Sequence, residues 1–107
     1  LADSPTASDL VYTALGDTYS QSGLNQLAID AYSQALALSI DNSDLLSEAV
    51  IRVNLANVYA TLGLFDDTLQ HIRQARDIYK QLEEEAEIIR LERRIEIISA
   101  RLLRQRE

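Results

Sequence analysis

The chain repeats itself at an interval of 40 residues, and that constrains its fold more than any other feature. Shifted by 40, Leu15 falls on Leu55, Tyr19 on Tyr59, Gly23 on Gly63, Leu24 on Leu64 and Ala35 on Ala75. Glycine follows tyrosine by four positions both times, in Tyr19-Ser-Gln-Ser-Gly23-Leu24 and Tyr59-Ala-Thr-Leu-Gly63-Leu64. A glycine placed so can take the left-handed conformation that closes a helix. The next helix then starts at once, with Asn25 or Asp66 expected as its N-cap. Each repeat therefore reads as a helical hairpin.

The flanking residues extend this reading to five helices. Ser4-Pro5 looks like an N-cap followed by proline at the first helical position. Leu10, Val11, Tyr12, Ala14 and Leu15 around Gly16 give the first helix an apolar face. Leu27, Ala28, Ala31, Tyr32, Ala35, Leu36 and Leu38 do so for the second, and Asp41-Asn42-Ser43-Asp44 marks a turn. Helices then run from about Leu45 to Leu62, Asp66 to Leu82 and Glu84 to Arg104. Between Asp77 and Glu87 there is no Gly, Pro or Asn, so the last two could also run on as one helix. The expected architecture is all-α and a single domain over 1–107. It has repeat one at about 5–42, repeat two at 43–82 and a C-terminal helix at 84–105.

Tyr12-x2-Leu15-Gly16-x2-Tyr19, then Ala28-x3-Tyr32-x2-Ala35, resembles the tetratricopeptide repeat pattern W-x2-L-G-x2-Y, A-x3-F-x2-A. The second copy, Leu55-Ala56-x2-Tyr59, Gly63, Thr68, Ile72 and Ala75, departs from it. It has Arg52 for the aromatic, Ala56 for glycine and Thr68 for alanine. The 40-residue period resembles the long-repeat variety of kinesin light chains and spindle-orientation adaptors. The small residues Gly16, Ala28, Ala35, Ala56 and Ala75 have a plain physical use, letting two helices approach closely.

The fifth helix spaces Ile88, Leu91, Ile95, Ile98 and Leu102 by three and four residues. Two readings fit. The stripe caps the apolar end of the stack, or it is a short coiled-coil-like seam between copies, with Ile89, Ile97 and Leu103 widening the apolar surface. Two repeats and a helix fall short of the three repeats a solenoid usually needs, which suits a fragment or an oligomer.

The charges say what such a chain meets. Residues 1–51 hold no Lys or Arg and seven carboxylates, and residues 88–107 hold six arginines against three glutamates. The net charge of −7 disfavours nucleic acid and favours a basic partner or another copy's basic end. No apolar run is long enough to insert in a membrane. No secretory or transit peptide is visible, and a chain beginning at Leu1 is expected to be processed or cut from something longer. The cytoplasm is the expected location. With no cysteine and one histidine, His71, neither catalytic nor metal constellations form, so no enzyme activity, cofactor or metal is expected. His71 is expected to be a surface residue, and Glu83, Glu84, Glu85 and Glu87 suit a helix N-terminus rather than an ion.

The resemblance implies a non-catalytic interaction scaffold whose first, third and fifth helices line a concave groove for a partner's peptide or helix. The groove would present Leu10, Thr13, Asp17, Ser20 and Gln21 from repeat one and Val50, Val53, Asn54, Asn57 and Thr61 from repeat two. Asn54-Leu-Ala-Asn57 resembles the Asn-Leu-Gly-Asn string whose asparagines bond a peptide backbone in the long-repeat adaptors, and a side-chain amide suits that task. A clamp for chaperone C-termini is not expected, because Thr13 and Asp17 stand where Lys or Arg is needed. The alternative is an assembly domain that self-associates through its C-terminal helix.

Overall fold

The computed structural model describes residues 5–106, with side chains from Ser8 onward. Its elements are α1 (Pro5–Gln21), α2 (Asn25–Asp41), α3 (Leu45–Thr61), α4 (Phe65–Gln81) and α5 (Glu85–Arg106). Starts therefore recur every 20 residues, and three-residue turns join antiparallel neighbours. Pro5 opens α1, and the expected cap at Ser4 lies outside the described residues.

All four turns share one geometry. Gly23, Ser43, Gly63 and Glu83 sit at φ of 77°, 56°, 75° and 58°. The amide of the next residue reaches back to the carbonyl five positions earlier, as from Leu24 to Tyr19 at 2.9 Å and from Glu84 to Tyr79 at 3.0 Å. This Schellman closure satisfies carbonyls that a helix end leaves orphaned. The same residue then begins the following helix, for the carbonyls of Leu24 and Leu64 accept from Ala28 and Thr68 at 3.0 Å. So Leu24 and Leu64 are the N-caps, without side-chain bonds, and the expected Asn25 and Asp66 lie inside their helices. Asp44 is a true side-chain cap, accepting from the Ser47 amide at 3.1 Å. Helices four and five are separate. A left-handed Glu83 costs about 1 kcal/mol, and it folds α5 back so that Ile88, Leu91 and Ile98 join the buried cluster of α4.

The core lies in two layers that share α3. One joins Ala28, Tyr32 and Ala35 of α2 to Ile51, Leu55 and Val58 of α3. The other joins Ala49 and Ala56 of α3 to Leu69, Ile72, Ala75, Ile78 and Tyr79 of α4 and Ile88, Leu91 and Ile98 of α5. Ala28, Ala35, Ala56 and Ala75 are fully buried, as close helix approach requires. Gly16 meets the Tyr32 ring face, where a β-carbon would lie 2.5 Å from two ring carbons. The position that is Gly16 in α1 and Ala56 in α3 is the exposed Glu96 in α5. Where α1 and α3 offer a small residue to the helix that follows, α5 therefore offers a charged one. The slab measures 54 × 33 × 18 Å.

Candidate functional site: the groove between α1 and α3

The α1 apolar face is only partly buried. Tyr12 and Tyr19 pack against the first core layer, while Leu10, Val11 and Leu15 stay 62%, 57% and 40% exposed. Leu10 and Thr13 of α1 face Leu46, Ser47, Val50 and Ile51 of α3 across a hollow of about 200 Å³, with Asp9 also in its lining. Three of the expected groove residues, Leu10, Thr13 and Val50, thus meet at one place. Asp9, Leu46 and Ser47 join them unannounced, because nothing in a helical pattern says which residues two non-adjacent helices turn to each other. The Thr13 hydroxyl donates to the Asp9 carbonyl at 2.9 Å, within its own helix.

Other expected residues are placed differently. Asp17 is exposed but accepts from the Tyr32 hydroxyl, so part of its hydrogen-bonding capacity ties α1 to α2. Burial, reinforced by Asp17, pushes the Tyr32 hydroxyl far above its usual range. Gln21, Asn57 and Thr61 are exposed, Ser20 and Asn54 half-buried. Val53 packs against the second core layer. The Thr61 hydroxyl donates to the Asn57 carbonyl at 3.0 Å. None of these residues lines the hollow, though Asn57 and Thr61 share Val50's helix face by their spacing of seven and eleven.

The hollow is electronegative. Asp9 is 2% exposed, and among the described residues its Oδ1 has no hydrogen-bond partner. Burial raises its carboxyl above the ordinary range, and the Asp44 carboxylate raises it further, opposed by the nearby Ser47 hydroxyl, which itself donates to Asp44 Oδ2 at 2.9 Å. On α5 the same register places Arg90, Arg94, Ile97 and Arg101. Arg90 pairs with Glu87 at 3.2 Å, and Arg101 lies over the Phe65 ring, 4.9 Å from its centroid. By that register α5 carries basic residues on the face where α1 carries Asp9 and Asp17.

The candidate seam on α5 faces inward. Ile88, Leu91 and Ile98 are buried in the second core layer, and Ile95 and Leu102 pack against it. A stripe that covers α4 is not free to meet another copy. Ile89, Ile97 and Leu103 remain 53%, 63% and 63% exposed.

His71 is not an ordinary surface residue. It is half-buried and stacks on Tyr59, with centroids 5.6 Å apart and planes 4° from parallel. Arg52, which replaces the pattern's aromatic, lies 3.2 Å from His71 Nδ1. It also donates to Gln74 at 2.7 Å and to Glu48 at 3.0 Å. Burial and Arg52 together lower the His71 pKa. A charged clamp thus joins α3 to α4 at the position where the repeat pattern carries an aromatic. Among the described residues no group of three His, Asp or Glu is placed to hold a metal, and no helix is long and apolar enough to cross a membrane.

Residues 10–42, the first hairpin, match the family model of the tetratricopeptide repeat. No curated protein matches the chain. Among solved structures it is similar to the crystal structure of BtubC (BKLC) from P. vanneervenii, at 22% identity with a TM-score of 0.80. The likeness covers 92% of this chain and 41% of that one, so this chain spans about two-fifths of its neighbour's length. The fold is thus an all-α, tetratricopeptide-like solenoid of helical hairpins. Tetratricopeptide repeats generally mediate protein–protein interaction or assembly, and the fold is typically non-catalytic.

Proposed function

We propose that this chain is an interaction scaffold that holds a peptide or helix of a partner protein in the groove flanked by α1 and α3. The hollow of about 200 Å³ carries the reading, because it lies where the helix faces at Leu10 and Val50 meet. Leu10, Leu46 and Val50 are 62%, 54% and 41% exposed around it, and convergent exposed apolar side chains mark binding surfaces more often than isolated ones do. Asn54 and Asn57 would hold the peptide backbone farther along α3. The observed interval of 40 residues between hairpins supports kinship with the long-repeat variety.

Selection of a displayed random-peptide library on the immobilised chain, followed by amide chemical-shift mapping with the winning peptide, tests this. Shifts clustered on Leu10, Thr13, Val50 and Asn57 are expected. Shifts confined to α2 and α4 would overturn the groove assignment.

A second reading, self-association through α5, now rests on Ile89, Ile97 and Leu103, which stay exposed on the side away from α4. Light scattering of the wild type and Ile97→Asp over a wide concentration range decides it. A mass that stays monomeric throughout removes this reading.

A further inference from the structure

We infer that the hollow between α1 and α3 selects a cationic–aliphatic peptide: an aliphatic side chain fills the cavity, and an adjacent lysine or arginine donates to Asp9. The inference rests on the groove reading above and specifies the partner's chemistry. Three observations carry it. The cavity of about 200 Å³ is edged by exposed Leu10, Leu46 and Val50, and one of roughly 150 Å³ already admits a benzene-sized group. Asp9 lines it while almost wholly buried, with Oδ1 unpartnered among the described residues. A buried polar atom left so costs about 1–3 kcal/mol, a cost that a bound donor removes. The charge around the cavity has one sign. No Lys or Arg occurs before Arg52, and Arg52 is held by Glu48 and Gln74. Asp44, which also raises the Asp9 carboxyl, adds a second negative group. A cation beside Asp9 meets uncompensated carboxylate, whereas an anion meets repulsion.

The probe is a short fluorescent peptide of alternating leucine and lysine, read by anisotropy against the full chain at near-physiological salt. Peptides alternating leucine with glutamate and serine with lysine are the controls. The leucine–lysine peptide should bind at least about tenfold tighter than either control, and Asp9→Asn should remove about tenfold of that affinity. Asp9→Asn keeps the side chain's shape and relieves a buried carboxylate, so its melting temperature should not fall. Leu10→Ser, at the exposed lip, should weaken the same peptide independently.

Equal binding of leucine–lysine and serine–lysine peptides would overturn the inference, because acidity alone would then explain attraction. Binding untouched by Asp9→Asn yet weakened by Asn57→Ala would overturn it while leaving the groove reading standing. Binding indifferent to Asp9→Asn, Leu10→Ser and Asn57→Ala together would overturn both.

Discussion

Replacing Gly16 by alanine tests the packing argument most directly. In an exposed helix interior that change stabilises by about 1 kcal/mol, because glycine gives up more backbone freedom on folding. At Gly16 the new methyl would sit 2.5 Å from Cδ1 and Cε1 of Tyr32 and 2.9 Å from its Cγ. These atoms belong to a ring that is 3% exposed and whose hydroxyl is fixed by Asp17. The ring cannot swing away without breaking that bond, and α1 cannot retreat without opening the first core layer. Overpacking of this kind costs about 1–3 kcal/mol, and disturbing a hydrogen bond to a charged group adds about 1.5–3 kcal/mol when it is lost outright. With the propensity gain subtracted, Gly16→Ala should destabilise by about 2–3 kcal/mol. For a chain of this size that lowers the melting temperature by roughly 10–20 °C. Urea unfolding followed by far-ultraviolet circular dichroism measures it. Gly63→Ala is the control, for Gly63 is left-handed but has open space around it, and only the backbone cost of about 1–2 kcal/mol applies. Gly16→Ala paired with Tyr32→Leu should recover stability relative to the sum of the two single changes. A neutral or stabilising Gly16→Ala would refute the reasoning that the ring's position against Gly16 sets the distance between α1 and α2.

Other expectations follow from single residues. Glu83→Gly should stabilise by about 0.5 kcal/mol, since it relieves a left-handed residue at φ 58° while loosening the unfolded chain; chemical denaturation reads it, and a loss of stability would contradict the turn geometry. Ile98→Asp puts a charge at a site 9% exposed and should cost about 3 kcal/mol or more, whereas Ile97→Asp, one residue away on the outer side, should leave the melting curve within about 0.5 kcal/mol of the wild type. The Asp9 carboxyl is raised on folding, so its protonated form is the one the fold prefers. Stability should decline as pH rises from its ordinary value of 3.8, and Asp9→Asn should be the more stable protein at neutral pH but not below that value. His71 carries the opposite sign: folding lowers its pKa from 6.5, stability falls as pH drops through that value, and His71→Gln should flatten this acid-side slope in a pH series of urea midpoints.

The repeat alone determined the helices, because a 40-residue self-similarity with glycine at the same phase leaves few folds besides stacked hairpins. It also identified the small residues at the helix crossings, since only Gly and Ala leave room where axes come closest. The α4–α5 break was expected between Leu82 and Glu84, but a single continuous helix also fitted the sequence. Glu83 carries no turn signal, and its left-handed conformation is imposed by two apolar faces that must fold onto each other. The N-caps were misplaced for a related reason: a three-residue turn makes one residue end one helix and begin the next, so the polar side chains nearby are not needed. Exposure on α1 escaped the pattern too, for periodicity tells which residues share a face and not whether another helix covers it.

The candidate site divides along the same line. Leu10, Thr13 and Val50 were readable from helix phase and the 40-residue register, but Asp9, Leu46 and Ser47 were not, because their meeting depends on how α1 and α3 sit over α2. Asp9 by itself is one of seven acidic residues in the first half of the chain. What sets it apart is burial without a hydrogen-bond partner. The sequence could assign α5 either as a cap or as a seam, since both use one apolar stripe. Tertiary structure laid that stripe on α4, where Leu91 and Ile98 share one buried cluster with Ile72 and Ile78, and left Ile89, Ile97 and Leu103 exposed. Local periodicity, written in the chain, determined the elements and their faces. Which faces meet is a property of packing between distant residues, and only the folded arrangement decided it.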